Sequence, residues 1–287
     1  MQKIVACAAF ACLTCLCACS KKDNAPSGIG ADGGTSGPSN TWLSTAVSVG
    51  IGDSTLTEIH FNSDHSVAKV ITISLGLPDS LGDTAYSTII PVYSGGRLSA
   101  LQSPPDSLTP TGPVTTAFDY TPDGTLERIR YNPGTTSFAY DSIVTAPNGL
   151  MAGSFHFVTD SATGATVELY YENFTWTLKG DIQTILISDI DTANGSVSSL
   201  TASYTFDGFY NPYKTVKDLP FMLGTLDNIL PLLSTNNVLS SQLVGYNSSN
   251  NYGYQYNPNN LPASQNIQVL LQGSLKQSTF VYFQYIQ

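Results

Sequence analysis

Two glutamates four residues apart, Glu168 and Glu172, raise the question of chemistry. Paired carboxylates cut glycosidic bonds when about 5–9.5 Å separates them, one acting as acid and the other as base or nucleophile. On a predicted strand the two share a face. Four residues at ~3.3 Å each put them roughly 13 Å apart, which is too far. Asp189 and Asp191 are closer, but they lead into Asn194-Gly195, a tight hairpin turn. The run from Asp189 to Leu200 has part of a calcium-loop rhythm. Its glycine comes one place late, and Leu200 stands where a bidentate glutamate belongs. His60 and His65 straddle a predicted turn with only Asp64 nearby, short of the three or four ligands a zinc ion needs. Ser54, in Gly52-Asp53-Ser54, follows the apolar stretch Val47–Ile51 and could be a nucleophile, but a serine needs a base. The histidines are His60, His65 and His156, and none stands three residues after an aspartate. The sequence offers no catalytic set, no metal site and no cofactor site, and it reads as a non-enzyme.

The first residues place the chain. MQKIVACAAFACLTCLCACSKKD begins with one lysine and an apolar run from Ile4 to Leu16. That run is too short to span a bilayer and suits the core of a secretion signal. It ends in Leu16-Cys17-Ala18-Cys19, which resembles a bacterial lipobox. The resemblance implies that 1–18 is a signal peptide and that Cys19 carries the lipid, palmitate included, that holds the protein to a membrane. Residues 19–40 then form a flexible tether of Gly, Ser, Pro, Asp and Asn. Residues 41–287 form a single all-β domain. The other four of the five cysteines lie inside the signal, so the mature chain has no disulfide and no cysteine metal site.

The 287 residues include 11 basic and 21 acidic side chains, a net charge of −10, and loss of Lys3 with the signal makes it −11. An acidic chain with no basic run is a poor partner for nucleic acid. Charged residues make up only 11% of the chain, so Ser, Thr, Asn and Tyr must supply the polar surface.

The elements that would have to position any site are hairpins. Phe118 to Tyr131 reads as one of them: Pro122 pre-sets φ, Asp123 bonds its own backbone, and Gly124 takes the left-handed conformation of a three-residue loop with a bulge. Tyr120 and Leu126 then face each other. Similar grammar occurs at Ile59–Val67, Tyr93–Leu98 and Tyr254–Pro262. Lys69 to Leu75 alternates with period two, placing Ile71, Ile73 and Leu75 on one face, and Phe155 and Phe157 share another. Short connections require antiparallel pairing. A dozen or more such strands must curl or close. The predicted fold is an all-β antiparallel meander of hairpins, curled into a large closed or nearly closed barrel-like sheet. One short helical insertion is expected near 218–233, where Asp218 to Leu233 is apolar, lacks alternation, and carries two prolines and a glycine.

Tyr254 to Pro262, Phe118 to Gly124 and Phe206 to Tyr213 resemble hairpin repeats of a Tyr-Asp type. Together with the lipobox they are similar to a family of uncharacterised Bacteroidota lipoproteins with a porin-like β fold. The resemblance implies a curled antiparallel sheet and lipid anchoring at the outer membrane, on its periplasmic or its cell-surface side. It implies no activity. Gly52-Asp53-Ser54 also resembles the nucleophile block of Gly-Asp-Ser esterases, but a strand follows it instead of the required helix. Asp followed by Ser or Thr and then Ala, Leu, Ile or Thr resembles the O-glycosylation acceptor pattern of Bacteroidota secreted proteins. It occurs at Ser54, Ser80, Thr84, Ser107, Ser142, Ser161 and Thr192.

The function expected from these residues is a lipid-anchored, non-enzymatic outer-membrane β protein that binds a glycan, a lipid or a partner protein. The alternatives are a glycoside hydrolase of unfamiliar layout and a membrane-spanning β-barrel.

Overall fold

The computed structural model describes residues 40–50, 53–76, 84–105, 112–135, 138–160 and 163–287. Cys19, the signal peptide and most of the tether lie outside them, as do Ser80, Ser107 and Ser161. Among the described residues there are sixteen strands. The first eight are β1 (Trp42–Val49), β2 (Ser54–Phe61), β3 (Val67–Leu75), β4 (Thr84–Ser94), β5 (Arg97–Gln102), β6 (Val114–Tyr120), β7 (Leu126–Tyr131) and β8 (Ala139–Thr145). The others are β9 (Met151–Thr159), β10 (Thr166–Trp176), β11 (Ile182–Ile190), β12 (Val197–Tyr210), β13 (Asn236–Leu243), β14 (Ser248–Tyr256), β15 (Pro262–Leu271) and β16 (Ser274–Ile286). Each pairs with its neighbours in sequence. β1 also pairs antiparallel with β16, from Trp42 opposite Ile286 to Val49 opposite Phe280, so the sheet is a closed antiparallel barrel. Closure leaves no unpaired edge.

Turn chemistry builds the hairpins. At Thr121–Thr125 the Thr121 amide donates to the Thr125 carbonyl (2.9 Å) and the Gly124 amide to the Thr121 carbonyl (2.9 Å). Gly124 sits at φ +92, and Tyr120 pairs with Leu126 across the strands. The same two bonds close the turns at Asn62–Ser66, Ala146–Leu150, Thr177–Asp181 and Asn257–Leu261. The fourth residue of each has positive φ: His65, Gly149, Gly180 and Asn260. A type I turn followed by one left-handed residue matches the twist of the flanking strands.

Aromatic residues beside these turns tie adjacent hairpins together. Trp176 Nε1 donates to the Met151 carbonyl (2.5 Å), the Tyr120 hydroxyl to the Leu98 carbonyl (2.8 Å), and the Tyr285 hydroxyl to the Pro262 carbonyl (2.8 Å). Each polar tip is satisfied while its ring stays against the sheet.

The helical insertion begins earlier than expected, at Pro212. A 3-10 turn (Pro212–Thr215) precedes α1 (Leu219–Leu223) and α2 (Leu226–Ile229), and a second 3-10 turn (Leu230–Leu233) ends it. Asn211 caps the start by accepting from the Tyr213 amide (3.0 Å). Its Nδ2 reaches the carbonyls of Leu232 (3.1 Å) and Ser234 (3.0 Å), clipping both ends together. Leu219, Leu226, Ile229 and Leu230 are buried, which explains the apolar run without alternation.

The chain divides into two compact units. The first comprises the described residues up to Ile59, 71–87 and Tyr204–Gln287; the second comprises His60–Val70 and Thr88–Ser203. In the first unit β14, β15 and β16 turn Tyr252, Tyr254, Ile267, Val281 and Phe283 inward. Their outward positions alternate with these and are mainly Ser, Asn and Gln. In the second unit Leu98, Leu101, Phe118, Ile129, Ile143, Phe174 and Ile185 are buried. Within β3 the buried residues are Val67 and Val70, while Leu75 of the expected Ile71-Ile73-Leu75 face is exposed.

Candidate functional site

In the second unit, β7 to β10 gather polar side chains on the buried face. Asp141 of β8 lies opposite Ile129 of β7 and His156 of β9, and His156 lies opposite Tyr170 of β10. His156 Nδ1 is 2.7 Å from Asp141 Oδ1, and the Tyr131 hydroxyl donates to Asp141 Oδ2 (2.5 Å). The His156 ring stacks on Tyr170, centroids 4.5 Å apart and planes at 11°. One row along, the Ser154 hydroxyl donates to Glu172 Oε2 (3.0 Å). A histidine held by a carboxylate is the orienting half of a nucleophile–base pair. The nearby serine, however, is engaged by Glu172. Asp141 and Glu172 are only 2% and 3% exposed, so these bonds lock the side chains in the sheet interior.

Glu168 and Glu172 do not share a face. A register shift between Glu168 and Tyr170 inserts Leu169 as an extra residue. Glu168 therefore pairs with Phe157 on the exposed face, while Glu172 pairs with Ser154 on the buried one. Phe155 and Phe157 do share a side, but it is the outward one. Phe157 stacks on Tyr140 at 4.9 Å, and Arg128 lies 5.0 Å above the same Tyr140 ring.

In the first unit, Asp207 of β12 is the centre of a second cluster. Its carboxylate accepts from the Phe209 amide (2.9 Å), the Asn237 amide (3.2 Å), Asn237 Nδ2 (3.2 Å) and the Tyr256 hydroxyl. Burial raises its pKa, against the downward pull of these hydrogen bonds. Burial, then the Asp207 charge, pushes the Tyr256 phenol up too. Tyr254 lies beside Tyr256 (5.9 Å) and accepts from Gln265 Nε2 (2.7 Å). On the helical insertion, burial lowers the Lys214 pKa and raises that of Asp218.

A cleft of about 510 Å³ lies between the β6–β7 and β8–β9 turns, lined by Asp123, Glu127, Thr145 and Pro147 among others. It holds two carboxylates. Asp123, however, is held below the usual range by the Thr121 hydroxyl and the Thr125 amide. The Asp123 carboxylate is thereby occupied in its own turn.

The remaining sequence candidates lie apart. His60 is exposed on β2, and His65 is exposed in a turn at φ +62. Asp191 closes the β11–β12 turn, accepting from the Ala193 amide (2.9 Å) and Asn194 Nδ2 (2.9 Å). Asp189 is half-buried on β11, with its pKa raised by burial. Among the described residues, no three His, Cys, Asp or Glu side chains come together as metal ligands. Of the candidate acceptors, Thr192 is exposed in a turn, Ser54 and Thr84 open β2 and β4, and Ser142 is half-buried within β8, opposite Arg128 and Phe155. Asp207 and the Asp141–His156 pair were not singled out from sequence. The inward position of His156, between two outward phenylalanines, was the available signal.

No family model matches the sequence, and neither does any curated protein. Among solved structures the chain is similar to a porin-like protein from Bacteroides uniformis, at 10% identity and a TM-score of 0.48, covering 85% of this chain and 97% of that one. It is also similar to a porin-like protein from Bacteroides vulgatus, at 12% identity and a TM-score of 0.36, covering 85% and 98%. Neither similarity carries an argument about what this chain does.

Proposed function

We propose that this barrel is a lipid-anchored, non-enzymatic protein of the outer membrane that stands in water and binds a ligand on its surface. The ligand is a glycan, a lipid or a partner protein. One observation carries the reading: in the first unit an outward row crosses four strands with polar side chains alone, where a barrel that crosses lipid needs an apolar band. A spanning barrel turns an apolar band outward and keeps a polar interior. Here Ile267, Val281 and Phe283 point inward and are buried. The outward row that runs Ser240, Asn251, Gln268, Ser278 is polar throughout, and Thr205 bonds Ser240 at its end (2.6 Å). Every one of those side chains would lose its water in hydrocarbon. Membrane attachment is then the task of Cys19, whose lipobox setting supports it.

The enzyme alternative needs an acid and a base facing a substrate cleft. Glu172 and Asp141 are committed to Ser154, His156 and Tyr131. The bound state of these carboxylates supports a scaffold over a reaction centre.

Cys19→Ser in the full chain tests the anchor. The wild-type protein should incorporate labelled palmitate and sediment with outer membranes. The variant should lose the label and appear folded in the soluble fraction. A variant that stays in the membrane pellet would instead establish a spanning barrel.

A further inference from the structure

We propose that the outward face of β14, β15, β16 and β1 is a binding surface for a neutral polysaccharide. This deepens the reading above and rests on that face meeting water. Phe280 and Tyr282 stand two residues apart on β16, 41% and 49% exposed. Their ring centroids are 6.3 Å apart and their planes differ by 20°, so the two rings run nearly parallel as one aromatic cluster open to solvent.

What surrounds the rings names the occupant. Strand register sets Tyr282 between Ser264 and Val47, with Gln255 beyond Ser264. Phe280 lies between Asn266 and Val49, with Gly253 beyond Asn266. The next row is Asn251, Gln268, Ser278. No charged side chain stands in these three rows. A sugar ring has an apolar C–H face and a rim of hydroxyls that both donate and accept. Aromatic faces take the first; carboxamides and hydroxyls, which also donate and accept, take the second. An uncharged field gives an anionic polymer nothing to pair with.

Gly253 fits this use. A Cβ placed there would meet nothing closer than the Asn266 carbonyl oxygen at 3.5 Å, so packing does not require glycine. Its effect is to leave the floor beside Asn266 open. A lipid surface would want the opposite: the apolar strip would have to continue across β15 and β14, where Ser264, Asn266 and Gln268 stand.

The test is native electrophoresis of the full chain in a detergent without a sugar headgroup. Gels are cast with laminarin, mannan or dextran, and with polygalacturonate as the anionic comparison. At least one neutral polymer should retard the wild-type protein. Phe280→Ala and Tyr282→Ala should each weaken retardation at least threefold, and the double variant at least tenfold. Tyr282→Phe should stay within twofold of wild type, as should Leu275→Ala on the same strand outside these rows. If the double variant does not fold, Asn266→Ala and Gln268→Ala decide in its place, with a threefold loss expected of each. The proposal is overturned by no retardation on any neutral polymer, by retardation on polygalacturonate alone, or by retardation that survives these substitutions. Flotation with phosphatidylethanolamine vesicles that depends on Phe280 and Tyr282, without retardation, would assign the strip to a membrane instead. Failure of the anchoring reading is separate, since it shows as Cys19→Ser retained in membranes.

Discussion

Each unit ties a carboxylate into a network of donors, buried in one and half-buried in the other, and the two do it by different means. Asp141 in the second unit is held by His156, a side chain that can carry charge, and by the Tyr131 hydroxyl. Asp207 in the first unit is held by neutral donors: two backbone amides, the Asn237 carboxamide and the Tyr256 phenol. The first arrangement sets the carboxylate between an imidazole and a phenol. The second spreads one charge over dipoles and leaves the carboxyl with a raised pKa. The lesson is that polar residues inside this barrel serve as structural ties, and that the ties differ in what their loss should cost.

The largest effect should come from Asp141→Ala, which removes the carboxylate that Tyr131 and His156 share. A loss of about 3–5 kcal/mol is expected, read from urea unfolding of the full chain. An equal loss from Asp207→Ala would erase the contrast between the units.

Two glycines sharpen it at the next scale. A Cβ at Gly153 in the second unit would lie 2.5 Å from the Glu172 carbonyl oxygen, and backbone cannot step aside cheaply. Gly153→Ala should cost about 1–3 kcal/mol. Gly253→Ala in the first unit meets only ordinary contact and should stay within ~0.5 kcal/mol of wild type. Paired thermal melts of the two variants give the comparison directly, and similar shifts would contradict it.

A loss of only about 1 kcal/mol at neutral pH is expected of Asp207→Asn: the carboxamide oxygen keeps the Phe209 and Asn237 amides, the Tyr256 hydroxyl can turn to accept from the new Nδ2, and Asn237 Nδ2 alone loses its carboxylate acceptor. Its signature is in the pH dependence. A carboxyl whose folded pKa lies above the ordinary 3.8 binds its proton more tightly when folded. Its contribution is complete below the unfolded value and is lost as pH rises through the folded one. Wild type should therefore gain stability over Asp207→Asn as pH falls from 7 towards 4. Parallel melting curves for the two proteins across that range would show that Asp207 does not titrate as argued.

Local chemistry was legible and long-range placement was not. Thr121-Pro122-Asp123-Gly124 spelled out its own turn, down to the facing of Tyr120 and Leu126. The apolar run without alternation after Asp218 announced helix, though Asn211 had to be seen bridging Leu232 and Ser234 before the insertion's true start at Pro212 made sense. Period-two alternation failed wherever a strand slipped. The extra residue Leu169 separated Glu168 from Glu172. Nothing in one strand's sequence records such a slip, because the partner strand's register decides it. Phe155-His156-Phe157 misleads for a related reason. Its period is clear, but which side faces the core is set by neighbours, and here the histidine went in.

The pairing of β1 with β16 has a consequence for how the molecule is made. Every other neighbouring pair in the ring is consecutive in the chain and can zip up as it is synthesised, with little loop entropy to overcome. Trp42 must wait for Ile286. Until the last residues arrive, two raw edges stay open to any passing strand, so a chain cut short by even its final dozen residues should be a precipitant, not a smaller barrel.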